Sequence, residues 1–139
     1  MAKIMNRMLV IGLAIFSISI SAHALPIEDC RIVSDNMNKS MPRKVDELTT
    51  LDTTYCIQEQ GNVTFCYKYT LNISKEESAQ IPQLTKNDMK NSMRNYLEKK
   101  LCDSTIMKSM LKYSNIKYEY FLKNGESFNT MIFSKKDCS

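Results

Sequence analysis

The chain contains no tryptophan and a single histidine, His23. His23 falls in an N-terminal segment that reads as a removable signal, so the domain that follows has neither residue. Without an imidazole, no Ser-His-Asp or Cys-His nucleophile can be assembled from this domain, and zinc sites that use histidine are excluded as well. Five cysteines are present with no Cys-x-x-Cys spacing among them, which points to structural disulfides rather than a thiolate metal site. Charge of one sign is also scarce. Once Lys3 and Arg7 leave with the signal, 17 basic residues face 15 acidic ones, and the net charge falls from +4 to +2. That balance gives solubility, whereas a nucleic-acid-binding domain concentrates basic side chains on one face. No apolar run is long enough to cross a bilayer: Met8 to Ile20 covers 13 residues where about 20 are needed. A lipidated N-terminus is missing too, since Cys30 follows Ile27-Glu28-Asp29 rather than small residues.

The N-terminus has the three-part layout of a secretory signal. Lys3 and Arg7 precede the apolar run, and Ser21-Ala22-His23-Ala24 offers an Ala-x-Ala cleavage site. Cleavage after Ala24 removes residues 1–24 and leaves one domain, residues 25–139, in the periplasm or secreted. Those compartments are oxidising, and a domain of this size gains from covalent staples. Two disulfides and one leftover thiol satisfy the odd cysteine count in several ways.

Apolar residues at Ile27, Cys30, Val33 or Ser34, Met37 and Met41 recur at helical spacing until Pro42. Val45 to Ile57 then turns extended, with Leu51, Thr53, Tyr55 and Ile57 on one side. After the turn Glu59-Gln60-Gly61-Asn62, the residues Val63, Phe65, Tyr67, Tyr69, Leu71 and Ile73 alternate strictly with polar ones, as in a strand with one wet face. Ser74 to Leu84 reads as a loop. Thr85 and Asp88 form an approximate capping box for a helix whose apolar face is Met89, Met93, Tyr96, Leu97 and Leu101. Asp103 can cap a short helix through Leu111.

Near the C-terminus, Asn124-Gly125 separates two alternating runs and predicts a two-residue hairpin loop. That register sets Lys123 opposite Glu126, Phe121 opposite Phe128, Tyr118 opposite Met131 and Ile116 opposite Phe133. Phe121 and Phe128 then form an aromatic pair away from the core, a candidate partner patch. In the first hairpin, Gln58 opposite Thr64 would place Cys56 opposite Cys66, close enough to bond. The expected fold is α+β: an antiparallel sheet of two hairpins, about four strands, with helices on one face in the order α-β-β-α-α-β-β.

Other chemistry-bearing groups are weak candidates. Glu76-Glu77 lie in a polar loop with nothing to shift a pKa. Tyr55, Tyr67, Tyr69, Tyr118 and Tyr120 read as strand residues with core bodies and polar tips. Lys86, Lys90 and Arg94 read as a solvated helix face. Nothing here calls for a metal or cofactor.

The pattern CDSTIMKSMLKYSNIKYEYFLKNGESFNTMIFSKKDC, preceded by KNDMKNSMRNYLEKKL, resembles the C-terminal half of two groups of small exported bacterial proteins. One is the quorum-sensing-regulated virulence factor family, and the other is the α/β class of type II secretion pilotins, which guide a secretin subunit to the outer membrane. Upstream, SMPRKVDELTTL and VTFCYKYTLN resemble their first hairpin. The resemblance implies that Cys102 bonds to Cys138, which with Cys56–Cys66 leaves Cys30 free or joined to another chain. It departs in two places: the pilotins are lipoproteins, and Tyr113-Ser114 stands where other members have Gly. The implied role is a non-enzymatic exported accessory protein, associated with virulence and acting through a protein partner. The alternative is a pilotin-like chaperone of a secretion or pilus subunit. A small secreted hydrolase or inhibitor is the reading from another class.

Intact mass spectrometry of the exported protein should find a chain beginning at Leu25. A mature species that keeps Met8 to Ile20 would mean a membrane anchor instead.

Overall fold

The structure is a computed structural model that describes residues 26–59 and 61–139. The segment read above as a signal, the expected cleavage point after Ala24 and His23 lie outside the described residues. The element order is α1 (Ile27–Asn38), β1 (Arg43–Lys44), β2 (Thr49–Glu59), β3 (Asn62–Leu71), α2 (Lys75–Ala79), α3 (Gln83–Asp103), α4 (Thr105–Met110), β4 (Asn115–Phe121) and β5 (Ser127–Phe133), closed by a 3-10 turn at Lys135–Cys138.

The expected α+β class with a helix-covered sheet is found, with four corrections of detail. Five strands lie in the order β1-β2-β3-β4-β5, where about four were expected, because Arg43 and Lys44 add a two-residue edge against Leu51 and Thr50. The sheet is mixed rather than wholly antiparallel. Its two hairpins join through β3 and β4, which run parallel from Thr64↔Asn115 to Thr70↔Phe121. A parallel pair needs a long crossover, and residues 72–114 supply it. The segment expected as a loop also carries α2. Ser74 caps it, accepting from Glu77 N–H at 3.0 Å while the Glu77 carboxylate accepts from Ser74 N–H at 2.8 Å. The capping box predicted at Thr85 does not form, since α3 starts two residues earlier behind Pro82 with no side-chain cap.

One sheet face carries the helices. Ile116, Phe65 and Phe133 are fully buried there, with Tyr118, Met131, Leu97, Leu101 and Leu111 around them. A smaller cluster of Cys30, Val63 and Phe65 lies under α1. Hydrogen bonds pin α1 to β2. The Ser34 and Thr54 hydroxyls meet at 2.8 Å, Thr54 N–H donates to Asn38 Oδ1 at 2.7 Å, and Asn38 Nδ2 donates to the Thr54 carbonyl at 2.9 Å.

The cysteines complete this docking. Cys30 is bonded to Cys56 and Cys102 to Cys138, with Cα atoms 6.1 and 5.2 Å apart. The proposed Cys56–Cys66 bond is therefore corrected, and the free thiol belongs to Cys66 rather than Cys30. The cause is a one-residue difference in register. Cys56 lies opposite Phe65 and Cys66 opposite Tyr55, so the two sulfurs point to opposite faces of the sheet. Closing loops of 26 and 36 residues removes unfolded-state entropy worth roughly 3.5 to 4 kcal/mol for each bond, on the chain-entropy account.

Cys66 is fully buried, and burial pushes its thiol from 9.0 up to about 11. The thiolate, the reactive form, is thus suppressed in the folded state. At about pH 8 Cys66 should resist alkylation until denaturant is added, and non-reducing peptide mapping should recover Cys30–Cys56 and Cys102–Cys138. A linked Cys56–Cys66 peptide would overturn this register.

Candidate functional site

The tyrosines of β3 and β4 are register partners on the helix-covered face, and they stack. Tyr67 and Tyr118 have ring centroids 5.0 Å apart, and Tyr69 and Tyr120 lie 4.6 Å apart within 6° of parallel. Offset stacking of this kind adds to the stabilisation from burial. Phe65 meets Tyr67 edge-on at 5.1 Å, and Phe133 meets Tyr118 edge-on at 5.9 Å. Burial raises the hydroxyl pKa of Tyr67, Tyr69 and Tyr118. For Tyr120, burial and then the Asp46 carboxylate push it up to about 12.

Helix α3 does not close over this ladder along its full length. Between them lies an open cleft of about 870 Å³. The sheet contributes Tyr69, Leu71 and Tyr120 to its floor, while Met89, Met93 and Tyr96 of α3 form the facing wall. Those α3 positions recur at the three- and four-residue spacing of one helix face. Tyr96 is 62% exposed, and Val45 and Leu48, on the loop before β2, are 55% and 43% exposed at the rim. The cleft lies within the size range of ligand pockets, and its methionines can repack around varied apolar shapes. Asp46, Asp88 and Lys100 are its charged lining residues, and no group of three metal-ligating side chains occurs among the described residues.

The proposed Phe121 and Phe128 patch is not assembled. The β4–β5 turn holds three residues rather than two: Leu122 N–H donates to the Glu126 carbonyl at 2.8 Å, and Gly125 takes φ +93°. A register shift follows, so Tyr120 pairs with Asn129 and Phe121 with Ser127, and Phe128 becomes the extra residue. Phe128 turns to the helix side, 7% exposed, beneath the Lys90 ammonium at 5.6 Å from its ring. Phe121 stays on the other face under Lys68 at 5.1 Å. Nearer the strand ends, Tyr118 faces Met131 and Ile116 faces Phe133.

Lys90 and Arg94 do not form a solvated stripe. Arg94 lies over the Phe133 ring at 4.4 Å and reaches Asp137 at 3.4 Å, covering β5. On the uncovered face, Tyr55 donates to the Glu119 carboxylate, and Lys117 approaches Glu119 at 3.9 Å. Burial, then that hydrogen bond, raises the Tyr55 pKa. Cys66 sits between Tyr55 and Lys117 in the register, which makes this face dry at its centre rather than wet throughout.

No family model and no curated protein matches the sequence. Solved structures do match in fold. A protein of Pseudomonas aeruginosa assigned as secreted aligns over 81% of this chain and 92% of its own, with TM-score 0.61 and 15% identity. The pilotin of the Vibrio vulnificus type 2 secretion system aligns over 81% of this chain and 91% of its own, with TM-score 0.60 and 7% identity. At these identities the likeness is one of fold.

Phe128→Ser should lower the melting temperature by at least about 10 °C, given the cost of emptying a buried Phe site. Phe121→Ser should shift it by less than about 5 °C. Equal shifts in thermal melts would contradict the placement of Phe128 in the core.

Proposed function

We propose that the domain is an exported, non-enzymatic chaperone of pilotin type, which holds an apolar or amphipathic segment of an envelope secretion component in the cleft between α3 and the tyrosine ladder. The cleft itself carries this reading: a core helix leaves its apolar face partly unpacked above stacked aromatics, with Val45, Leu48 and Tyr96 exposed at the rim. Apolar surface of this kind, bounded by polar residues, marks interaction sites, and an amphipathic helix laid in a groove is a recurrent way to fill one. The fold shared with a type 2 secretion pilotin supports the choice of partner class. The broader reading, a virulence-associated binding protein with another partner, uses the same cleft.

A non-catalytic role fits the side chains present. Glu77 is committed to the α2 cap, and the thiol of Cys66 is buried and held protonated. The stacked tyrosines are raised well above neutral pH.

Capture from an envelope extract, read by mass spectrometry, tests the proposal. The native protein should recover a subunit of an outer-membrane secretion channel. The variant carrying Met89→Asp and Met93→Asp should lose at least about 30-fold of that affinity, the scale of removing a hot spot, while Phe121→Ser should retain it. Undiminished capture by the double variant would place the partner elsewhere. Recovery of no secretion component would sink the pilotin reading.

A further inference from the structure

The far end of the sheet holds a second concavity, of about 350 Å³, whose chemistry is the reverse of the first. It lies where β3 begins, where the chain enters β4 and where it leaves β5. Lys112, Lys135 and Lys136 line it together with Tyr113 and Ser134, and no carboxylate does. Asp137, next to Lys136 in sequence, is already engaged by Arg94 at 3.4 Å and by Ser134 N–H at 2.8 Å, and Glu59, the strand partner of Asn62, is not among the lining residues. None of the three lysines makes an ion pair among the described residues. A helix C-terminus favours a cation, and Lys112 follows α4, so the fold accounts for that one lysine. It does not account for Lys135 and Lys136, which belong to a four-residue turn. Three uncompensated ammoniums on one concave surface make a local positive field in a domain that is otherwise nearly neutral.

We propose that this end of the domain is a peripheral membrane contact, in which Lys112, Lys135 and Lys136 engage the phosphates of anionic lipid headgroups. All three are exposed on flexible stems, and the hydroxyl of Ser114, a buried polar residue of the lining, already donates to the Met110 carbonyl at 3.4 Å. Such lysines gain little from a soluble anion at physiological salt. An anionic lipid surface offers many phosphates at once, and each lysine adds about fivefold, roughly 1 kcal/mol. Tyr113, 48% exposed beside Lys112, brings a ring with an apolar body and polar tip, a type that settles at headgroup level. Asn62 and Leu71 end β3 about 30 Å apart, so contact through the lysine end leaves the Leu71 end of the apolar cleft clear of the lipid. This proposal stands independently of the chaperone reading, because it needs no protein partner.

Vesicle co-sedimentation of the exported protein provides the test. Vesicles of equal phosphatidylglycerol and phosphatidylcholine should bind it, pure phosphatidylcholine should not, and raising salt from about 0.05 to about 0.5 M should release it. Replacing Lys112, Lys135 and Lys136 by Gln should weaken partitioning on the order of 100-fold without altering the melting temperature. Replacing the exposed Lys39, Lys44 and Lys123, which removes the same charge elsewhere, should weaken it far less. Equal losses in the two triple variants, or binding to neutral vesicles as strong as to anionic ones, would overturn the proposal. So would inorganic phosphate alone raising the melting temperature through the same three lysines, since the cleft would then be a soluble-anion site.

Discussion

Parallel pairing of β3 with β4 is the constraint on which the rest depends. Each hairpin could form by itself from neighbouring residues. The β3–β4 ladder instead unites residues about fifty positions apart, and it obliges residues 72–114 to travel back along the sheet before β4 can begin. That return path brings α3 over the helix-covered face. The same register places Tyr67 beside Tyr118 and Tyr69 beside Tyr120, so the aromatic ladder is a product of strand pairing. On the opposite face it sets Cys66 beside Lys117, where neighbouring side chains bury the thiol.

Covalent bonds then fix the helices that the sheet alone holds loosely. Cys30–Cys56 ties α1 to β2, alongside the Ser34, Asn38 and Thr54 hydrogen bonds. Cys102–Cys138 ties the end of α3 to the turn that leaves β5. Arg94 reinforces the second junction through Asp137 and the Phe133 ring. With α3 anchored at its C-terminal end, its remaining length can stand off from the tyrosines. An open apolar cleft and a stable domain can therefore coexist.

Much of this was legible in the sequence. Strict alternation from Val63 to Ile73 marks β3, and the spacing from Met89 to Leu101 marks the cleft-facing side of α3. The parallel join was not, because periodicity describes each strand and not its neighbour. Two other misreadings share one cause, an extra residue. The shift between Leu51 and Thr53 makes Asp52 the odd residue of β2, and that between Tyr120 and Phe121 makes Phe128 the odd residue of β5. A signal for the second was present: Phe128, Met131 and Phe133 are spaced three and then two, so a regular strand cannot put all three on one face. The cysteine error has a similar root, since one step of register exchanged Cys66 for Phe65 as the neighbour of Cys56. The cleft was hidden for a different reason. Apolar spacing shows which face of α3 turns inward, but not how far the sheet stands from it.

Both bulges fall toward the end of the sheet that lines the cleft, near Thr49 on β2 and at Phe128 on β5. A bulge bends its strand and sharpens the local twist, so the separation between sheet and α3 is written into the backbone. The side chains that line the gap, such as Met89, Met93 and Tyr96, lie on a helix whose anchorage is elsewhere. Shape and chemistry are thereby inherited separately. A change of lining residue would alter what the gap can hold while leaving the bulges, and with them its width, in place.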